Sequence, residues 1–316
     1  MAAQLRHACT EELGFFSIVG HGISPTIVSA ACTASRNFFD GPLSREDSLA
    51  ESHEPYGFMP FASEALAQSL SEEQTSPPDL KQTYSMGPVF EAPQHDWPGE
   101  AHFQPDPAHE ASLFAFQPNK WPAQHPAFVS ALVPYFVSMD DLAARLLCCV
   151  AHSLELRGNY FTKSISRPMS ALRVNSYPAL QHAALPGQKR AGAHTDYGCL
   201  TILHQEEGEA GLEAVGLDGE WGGVPAHEGG LTVNIGDMLQ VWTNGLYKST
   251  MHRVSLPHAA PCPARLSLAF FQQANPDARI ECVPTCLPAD GKPPLHEPMS
   301  AGEHIMRKFN ATQDVT

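Results

Sequence analysis

From Met169 onward the chain falls into short apolar runs separated by turn residues: SALRVNSYP, GCLTILHQ, GLEAVG, GGLTVNIGDMLQVWTNG, KSTMHRVSL and RLSLAFFQQ. About seven strands at this hairpin spacing are expected to close into an antiparallel barrel or sandwich. The turn NIGD and the bend WTNG supply reversals between them. Ahead of Met169 the texture differs. A short helix leads into LGFFSIVGHGIS, a strand-like run that stops at Gly22, and a second helix is predicted over PTIVSAACTASRNFFD. Prolines and glycines recur from Glu51 to Pro126, which reads as irregular surface chain, and PAFVSALVPYFVSMDDLAARLLCCVAHSLEL carries the longest helical pattern. The expectation is one domain over residues 1–316, with a helical and irregular part (1–168) packed on a β core (169–280), then a C-terminal segment (281–316). There is no internal repeat and no linker.

An apolar fraction of 43% in 316 residues is enough for a sizeable core. The 19 basic residues face 34 acidic ones, for a net charge of −15 without any basic run. That balance argues against a nucleic-acid backbone or an anionic membrane as partner. No apolar stretch is expected to reach the roughly 20 residues of a membrane span, and the opening MAAQLRHACTEELGFF lacks the apolar core of a signal peptide. Eight scattered cysteines, two of them adjacent at Cys148 and Cys149 inside a helical pattern, predict a reducing compartment, hence a cytoplasmic location. Cys282 and Cys286 form a C-x3-C flanked by prolines, but no second pair follows at zinc-site spacing.

The chemistry concentrates in GAHTDYGCLTIL. On a strand, positions i and i+2 share a face, so His194 and Asp196 are expected side by side with Thr195 turned away. An isolated H-x-D is more often an exposed polar pair, so the reading turns on a third ligand. His252 in KSTMHRVSL, 56 residues beyond Asp196, supplies it from another strand. Two histidines and one carboxylate occupy one face of an octahedral metal and leave open positions, which suits Fe(II) with O2. Zinc more often closes tetrahedrally. In RLSLAFFQQ, Arg265, Ser267, Ala269 and Phe271 share one face; a guanidinium beside a hydroxyl is a bidentate seat for a carboxylate. Arg173, Asn175 and Tyr177 share a face of SALRVNSYP and are expected to add polar contacts.

With these motifs in this order, the chain resembles the iron(II)/2-oxoglutarate-dependent dioxygenases of the isopenicillin N synthase-like type, which include plant flavonoid and gibberellin oxygenases. The resemblance runs through GFFSIVGHGIS, DLKQTYSMG, NKWP, RVNSYP, HTD, NIGDMLQVWTNG, HRV and RLSLAFF, nearly the whole chain. It implies a mainly β fold with flanking helices, a double-stranded β-helix or jelly roll with helices against one sheet. It implies metal ligands at His194, Asp196 and His252, 2-oxoglutarate anchors at Arg265 and Ser267, and supporting contacts from Asn175 and Tyr177. Phe271, one step beyond the cosubstrate, is expected against the substrate, and Phe270 in the core. The implied reaction uses Fe(II), 2-oxoglutarate and O2 to oxidise a small organic metabolite by hydroxylation, desaturation or cyclisation, releasing succinate and CO2. A monomer is expected.

Two other readings stay open at this point. A 2-oxoglutarate-independent oxidase of the same fold keeps the same motifs, and a binding module could hold metal and 2-oxoglutarate without turnover. A zinc hydrolase is disfavoured, because no H-E-x-x-H frame is present. The family usually opens with a short strand before the first helix, whereas this chain begins in the helix. The interval from His252 to Arg265, through PHAAPCP, is a few residues longer than usual.

Overall fold

The runs after Met169 form two antiparallel sheets in the computed structural model, which describes residues 1–42, 44–51, 54–64, 77–89, 114–181, 184, 187–206, 211–256 and 262–313. The strands are β1 (Phe15–Ile18), β2 (Gly57–Met59), β3 (Gln82–Met86), β4 (Ala171–Tyr177), β5 (Ala191–His194), β6 (Leu200–Gln205), β7 (Leu212–Val215), β8 (Trp221–Gly223), β9 (Leu231–Ile235), β10 (His252–Val254), β11 (Arg265–Gln272), β12 (Arg279–Ile280) and β13 (Met299–Ser300). The larger sheet has the order β1-β9-β6-β11-β4-β3-β2, the smaller β5-β10-β7-β8, and β12 pairs with β13 alone. This is the double-stranded β-helix.

The middle of the larger sheet is buried on both faces, and its sequence alternates accordingly. Along β11, Leu266, Leu268 and Phe270 point into the helix-covered core, while Arg265, Ser267, Ala269 and Phe271 line a cavity on the other side. Register with β4 pairs Arg265 with Tyr177, Ser267 with Asn175, Ala269 with Arg173 and Phe271 with Ala171. Directly paired residues share a face. The polar rows of the two strands therefore lie side by side.

The helices are α1 (Ala2–Thr10), α2 (Pro25–Asp40), α3 (Pro126–Ser153), α4 (Asp237–Trp242) and α5 (Ala301–Gln313). Proline at the first position of α2, with Ser24 accepting from the Thr26 amide, starts that helix where its pattern begins. By length and composition α3 is sufficient to cross a bilayer, contrary to the expectation that no stretch reaches that length. In this fold it is a core helix. Phe128, Leu132, Tyr135, Phe136, Met139, Leu146 and Val150 form its buried side, and Phe136 meets Phe270 edge-on at 5.1 Å. Phe38 of α2, fully buried, stacks on Phe128 at 4.2 Å and takes edge contacts from Phe58 and Tyr84.

Several expectations need correction. Residues 1–168 do more than pack against the barrel, since β1, β2 and β3 supply three of the seven strands of the larger sheet. The stretch read as irregular from Glu51 to Pro126 contains two of them; QTYSM has strand-forming residues hidden among prolines. The segment NIGD followed by MLQVW is a one-and-a-half-turn helix, α4, where only a reversal was expected. The C-terminal segment carries α5, whose apolar residues recur at Ala301, Ile305 and Phe309. The lengthened interval before Arg265 includes residues 257–261, which lie outside the described residues.

Asp140 is buried in α3, and one of its oxygens has no partner among the described residues. Burial pushes its carboxyl up to about 7, against the hydrogen bond from Ser170. A carboxyl raised in the folded state keeps its proton after the unfolded chain has released it. Stability from this site is thus full below the ordinary value of 3.8 and is lost as pH rises to about 7. Asp140→Asn should flatten the Tm-against-pH curve over that interval and leave the variant more stable than the parent above pH 7, as thermal melts across pH will show.

Candidate active site

β5 and β10 are neighbours in the smaller sheet, with His194 and His252 as direct partners. Cross-strand pairing puts both side chains on one face, with ring centroids 4.4 Å apart. Each ring is oriented by a carbonyl two residues back: His194 Nδ1 lies 2.8 Å from the Gly192 oxygen and His252 Nδ1 lies 3.0 Å from the Thr250 oxygen. A carbonyl only accepts, so Nδ1 carries the proton and the Nε2 lone pair is left for a ligand role. Phe15 packs edge-on against His252 at 5.5 Å and fixes the plane of that ring.

The route by which Asp196 reaches the pair differs from the sequence expectation. β5 ends at His194, and Asp196 sits in the crossover that leaves the smaller sheet for β6 of the larger one. The crossover is fastened by backbone. Asp237 N donates to the Asp196 carbonyl at 2.8 Å, and Gly236 packs so closely on Gly198 that a Cβ there would lie 2.2 Å from the Gly198 oxygen. Thr201 and Asn234, paired across β6 and β9, both donate to Asp196 Oδ2 at 2.6 Å. One ligand atom from each of His194, Asp196 and His252 lies within 4.8 Å of the other two, and among the described residues this is the only such cluster of three.

Burial, with the neighbouring His252, pushes His194 down to about 3, so its imidazole is neutral near pH 7. Burial alone would raise Asp196, but His252 and His194, with the hydrogen bonds from Thr201 and Asn234, hold it below the usual carboxylate range. A neutral His194 imidazole beside an ionised Asp196 carboxylate suits metal binding, which needs ligands with free lone pairs.

The trio opens on a cavity of about 260 Å³. Deeper in it stands Arg265, 6% exposed, its guanidinium 4.9 Å from the Tyr177 ring and donating through Nη2 to Gln205 Oε1 at 3.2 Å. Its Nε and Nη1 are buried and have no partner among the described residues. A guanidinium left so exposed to desolvation is costly unless an anion joins it. Ser267, beside it, accepts from Asn175 Nδ2 at 3.5 Å. The site residues singled out in the sequence, His194, Asp196, His252, Arg265, Ser267, Arg173, Asn175, Tyr177 and Phe271, all line this one cavity.

Others were missed. Thr201 and Asn234 are polar positions alternating with apolar ones in LTIL and LTVNI, a signal that could have been read. Arg190, 1% exposed and 5.6 Å from the Tyr177 ring, and Lys81, in the cavity wall, carried no local signal. Phe114 and Phe309, 4.6 Å apart, close the cavity from chain segments far apart in sequence.

Residues 168–274 match the model of the 2OG-Fe(II) oxygenase superfamily, and residues 1–124 match that of the non-haem dioxygenase in morphine synthesis N-terminal region. The chain is 30% identical to validamycin A dioxygenase of Streptomyces hygroscopicus subsp. limoneus over 314 residues, covering 97% of this chain and 80% of that one. It is also 30% identical to homoarginine-6-hydroxylase 2-ODD-233 of Oryza sativa subsp. japonica, over 96% and 87% of the two chains. Among solved structures, full-length T7H of Neurospora crassa in complex with alpha-KG superposes with a TM-score of 0.80 at 27% identity, covering 98% of this chain and 90% of that one.

The geometry separates adjacent phenylalanines. Phe270→Ala, in the closed core against Phe136, should cost about 3–5 kcal/mol of stability. Phe271→Ala, on the cavity wall, should cost far less; denaturant titrations of the two variants will show the contrast.

Proposed function

Because this chain belongs to the 2OG-Fe(II) oxygenase superfamily, we propose that His194, Asp196 and His252 hold its Fe(II) and that Arg265 with Ser267 anchors its 2-oxoglutarate, for hydroxylation of a small metabolite. The observation that carries this is one cavity in which three donor atoms converge at the end of the smaller sheet and its crossover, while on the larger sheet a buried guanidinium has two nitrogens with no partner among the described residues. The donor set suits iron with open positions, and the unpartnered nitrogens of Arg265 suit a carboxylate.

When bound, Fe(II) and 2-oxoglutarate supply the oxidation itself, consuming O2 and releasing succinate and CO2. The protein's part is placement. His194 and His252 present Nε2 because their Nδ1 protons are committed to backbone carbonyls. Thr201 and Asn234 hold the Asp196 carboxylate in one orientation. Arg265 and Ser267 fix the far carboxylate of the cosubstrate, with Tyr177 under the guanidinium and Asn175 on the hydroxyl. Leu203, Leu212 and Val254 line the same cavity and keep bulk water from the reacting groups. Phe271 lies one row beyond Ala269 and Arg173, where it would meet the substrate. The relatives named as hydroxylases support hydroxylation as the outcome.

His194→Ala, Asp196→Ala and His252→Ala should each lose stoichiometric iron while keeping the parent's circular dichroism; wild-type iron content in any one would remove that residue from the ligand set. Arg265→Lys should weaken 2-oxoglutarate binding roughly tenfold or more, since an ammonium cannot make the two parallel bonds of a guanidinium. Calorimetric titration with 2-oxoglutarate checks this, and succinate formed in step with substrate oxidation separates a 2-oxoglutarate-dependent enzyme from an independent oxidase.

A further inference from the structure

The cavity has a second cationic end that the metal and cosubstrate do not use. In register, Arg173 of β4 lies between Ala269 of β11 and Ser85 of β3, small residues on both sides that leave room for its guanidinium. About a quarter of its side chain is open, and it lines the cavity. Lys81, 3% exposed, lines the same wall. Both cations are held by carboxylates outside the lining: Glu64 bonds Arg173 Nη2 at 3.1 Å and lies 3.4 Å from Lys81 Nζ, and Asp79 lies 3.5 Å from Lys81 Nζ. Ser85 takes Arg173 Nε at 3.1 Å. Asp196 is the sole acidic side chain among the described lining residues.

Carboxylates behind and cations in front is an orienting arrangement. It positions donors for an incoming acceptor without placing negative charge in its way. The acceptor is not the cosubstrate held at Arg265. Arg173 stands four residues along β4 from Tyr177, the partner of Arg265, a separation of about 13 Å at ordinary strand rise. A short diacid does not bridge that span. Glu64 and Asp79 already balance Lys81 and Arg173, so no surplus positive charge is left to hold a doubly charged phosphate, and recognition falls to the planar guanidinium, whose geometry suits a carboxylate. Met169, Phe271, Phe114, Ile305 and Phe309 give the same wall a large apolar part, with Gln273, Tyr56 and Tyr197 as its polar members.

We propose that Arg173 and Lys81 form the substrate's anion seat, and that the oxygenase acts on carboxylic acids with an apolar body, carboxylate at Arg173 and hydrocarbon along Phe271 and Phe309. The inference rests on the oxygenase reading of the cavity.

The test compares acids with their primary amides. Phenylacetate, 3-phenylpropanoate and octanoate, with the three matching amides, are titrated calorimetrically into protein loaded with Mn(II) and 2-oxoglutarate, without turnover. At least one acid should bind about tenfold or more tightly than its amide, the scale of a lost charge-assisted hydrogen bond in a closed site. Arg173→Gln should abolish that preference and leave 2-oxoglutarate affinity unchanged. Wild-type protein that prefers no acid over its amide overturns the proposal, and that comparison needs no variant to fold. A preference that survives Arg173→Gln overturns it as well. Failure of wild-type protein to bind 2-oxoglutarate would instead count against the oxygenase reading, and the acid–amide comparison on Mn(II)-loaded protein would still decide the Arg173 seat.

Discussion

A single buried carboxylate sits where the two sheets are joined. Asp196 occupies the crossover from β5 to β6, and its hydrogen bonds reach Thr201 and Asn234 on the larger sheet while His194 and His252 stand beside it on the smaller. An ionised group this deep is costly unless every oxygen is engaged. Two donors at 2.6 Å offset part of that cost, and the Fe(II) proposed for this site would offset the rest. The fold's connection between sheets and the enzyme's metal site are thus stabilised by the same atoms. The close approach of Gly236 to Gly198 follows from this, because a side chain at either would push the crossover off its seat.

The second constraint is register. β4 and β11 carry apolar residues toward the helices and polar ones toward the cavity, so slipping either strand by one position would drive Arg265 and Ser267 among Phe136 and its neighbours and turn Leu266 and Leu268 into the site. The hydrophobic demand of the helix-covered face therefore specifies where Arg265 and Ser267 stand. Stability and catalysis are read from opposite faces of the same eight-residue strand.

What was legible in the sequence was what is local. The R-x-S pair, the faces of β4 and β11 and the helices α2 and α3 follow from periods of two and of 3.6. His194 and Asp196 were found as a pair for a reason that proved incomplete: they converge because a crossover bends back on itself, and the strand that was to align them ends at His194. Lys81, Glu64 and Arg190 were silent, since a buried charge announces itself only through partners, and those partners lie up to 109 residues away. β3 was hidden for a similar reason. Its five residues form a strand because β2 and β4 are there to pair with it, flanked by prolines that taken alone read as loop.

The distribution of charge completes the account. A chain with a net charge of −15 buries Asp79, Asp140, Asp196 and Asp237 as well as Lys81, Arg190 and Arg265, yet the described lining of its cavity carries three of its Lys and Arg side chains, Lys81, Arg173 and Arg265, against one carboxylate, Asp196. Its surface therefore repels anions at a distance while its cavity attracts them at contact. Long-range repulsion decays within about 10 Å at moderate salt, whereas hydrogen bonds in a desolvated pocket are little screened. Anionic ligands consequently gain their affinity at short range, where a guanidinium fork distinguishes a planar carboxylate from other anions by geometry. An acidic exterior around a donor-lined interior makes selection depend on shape and placement more than on charge alone.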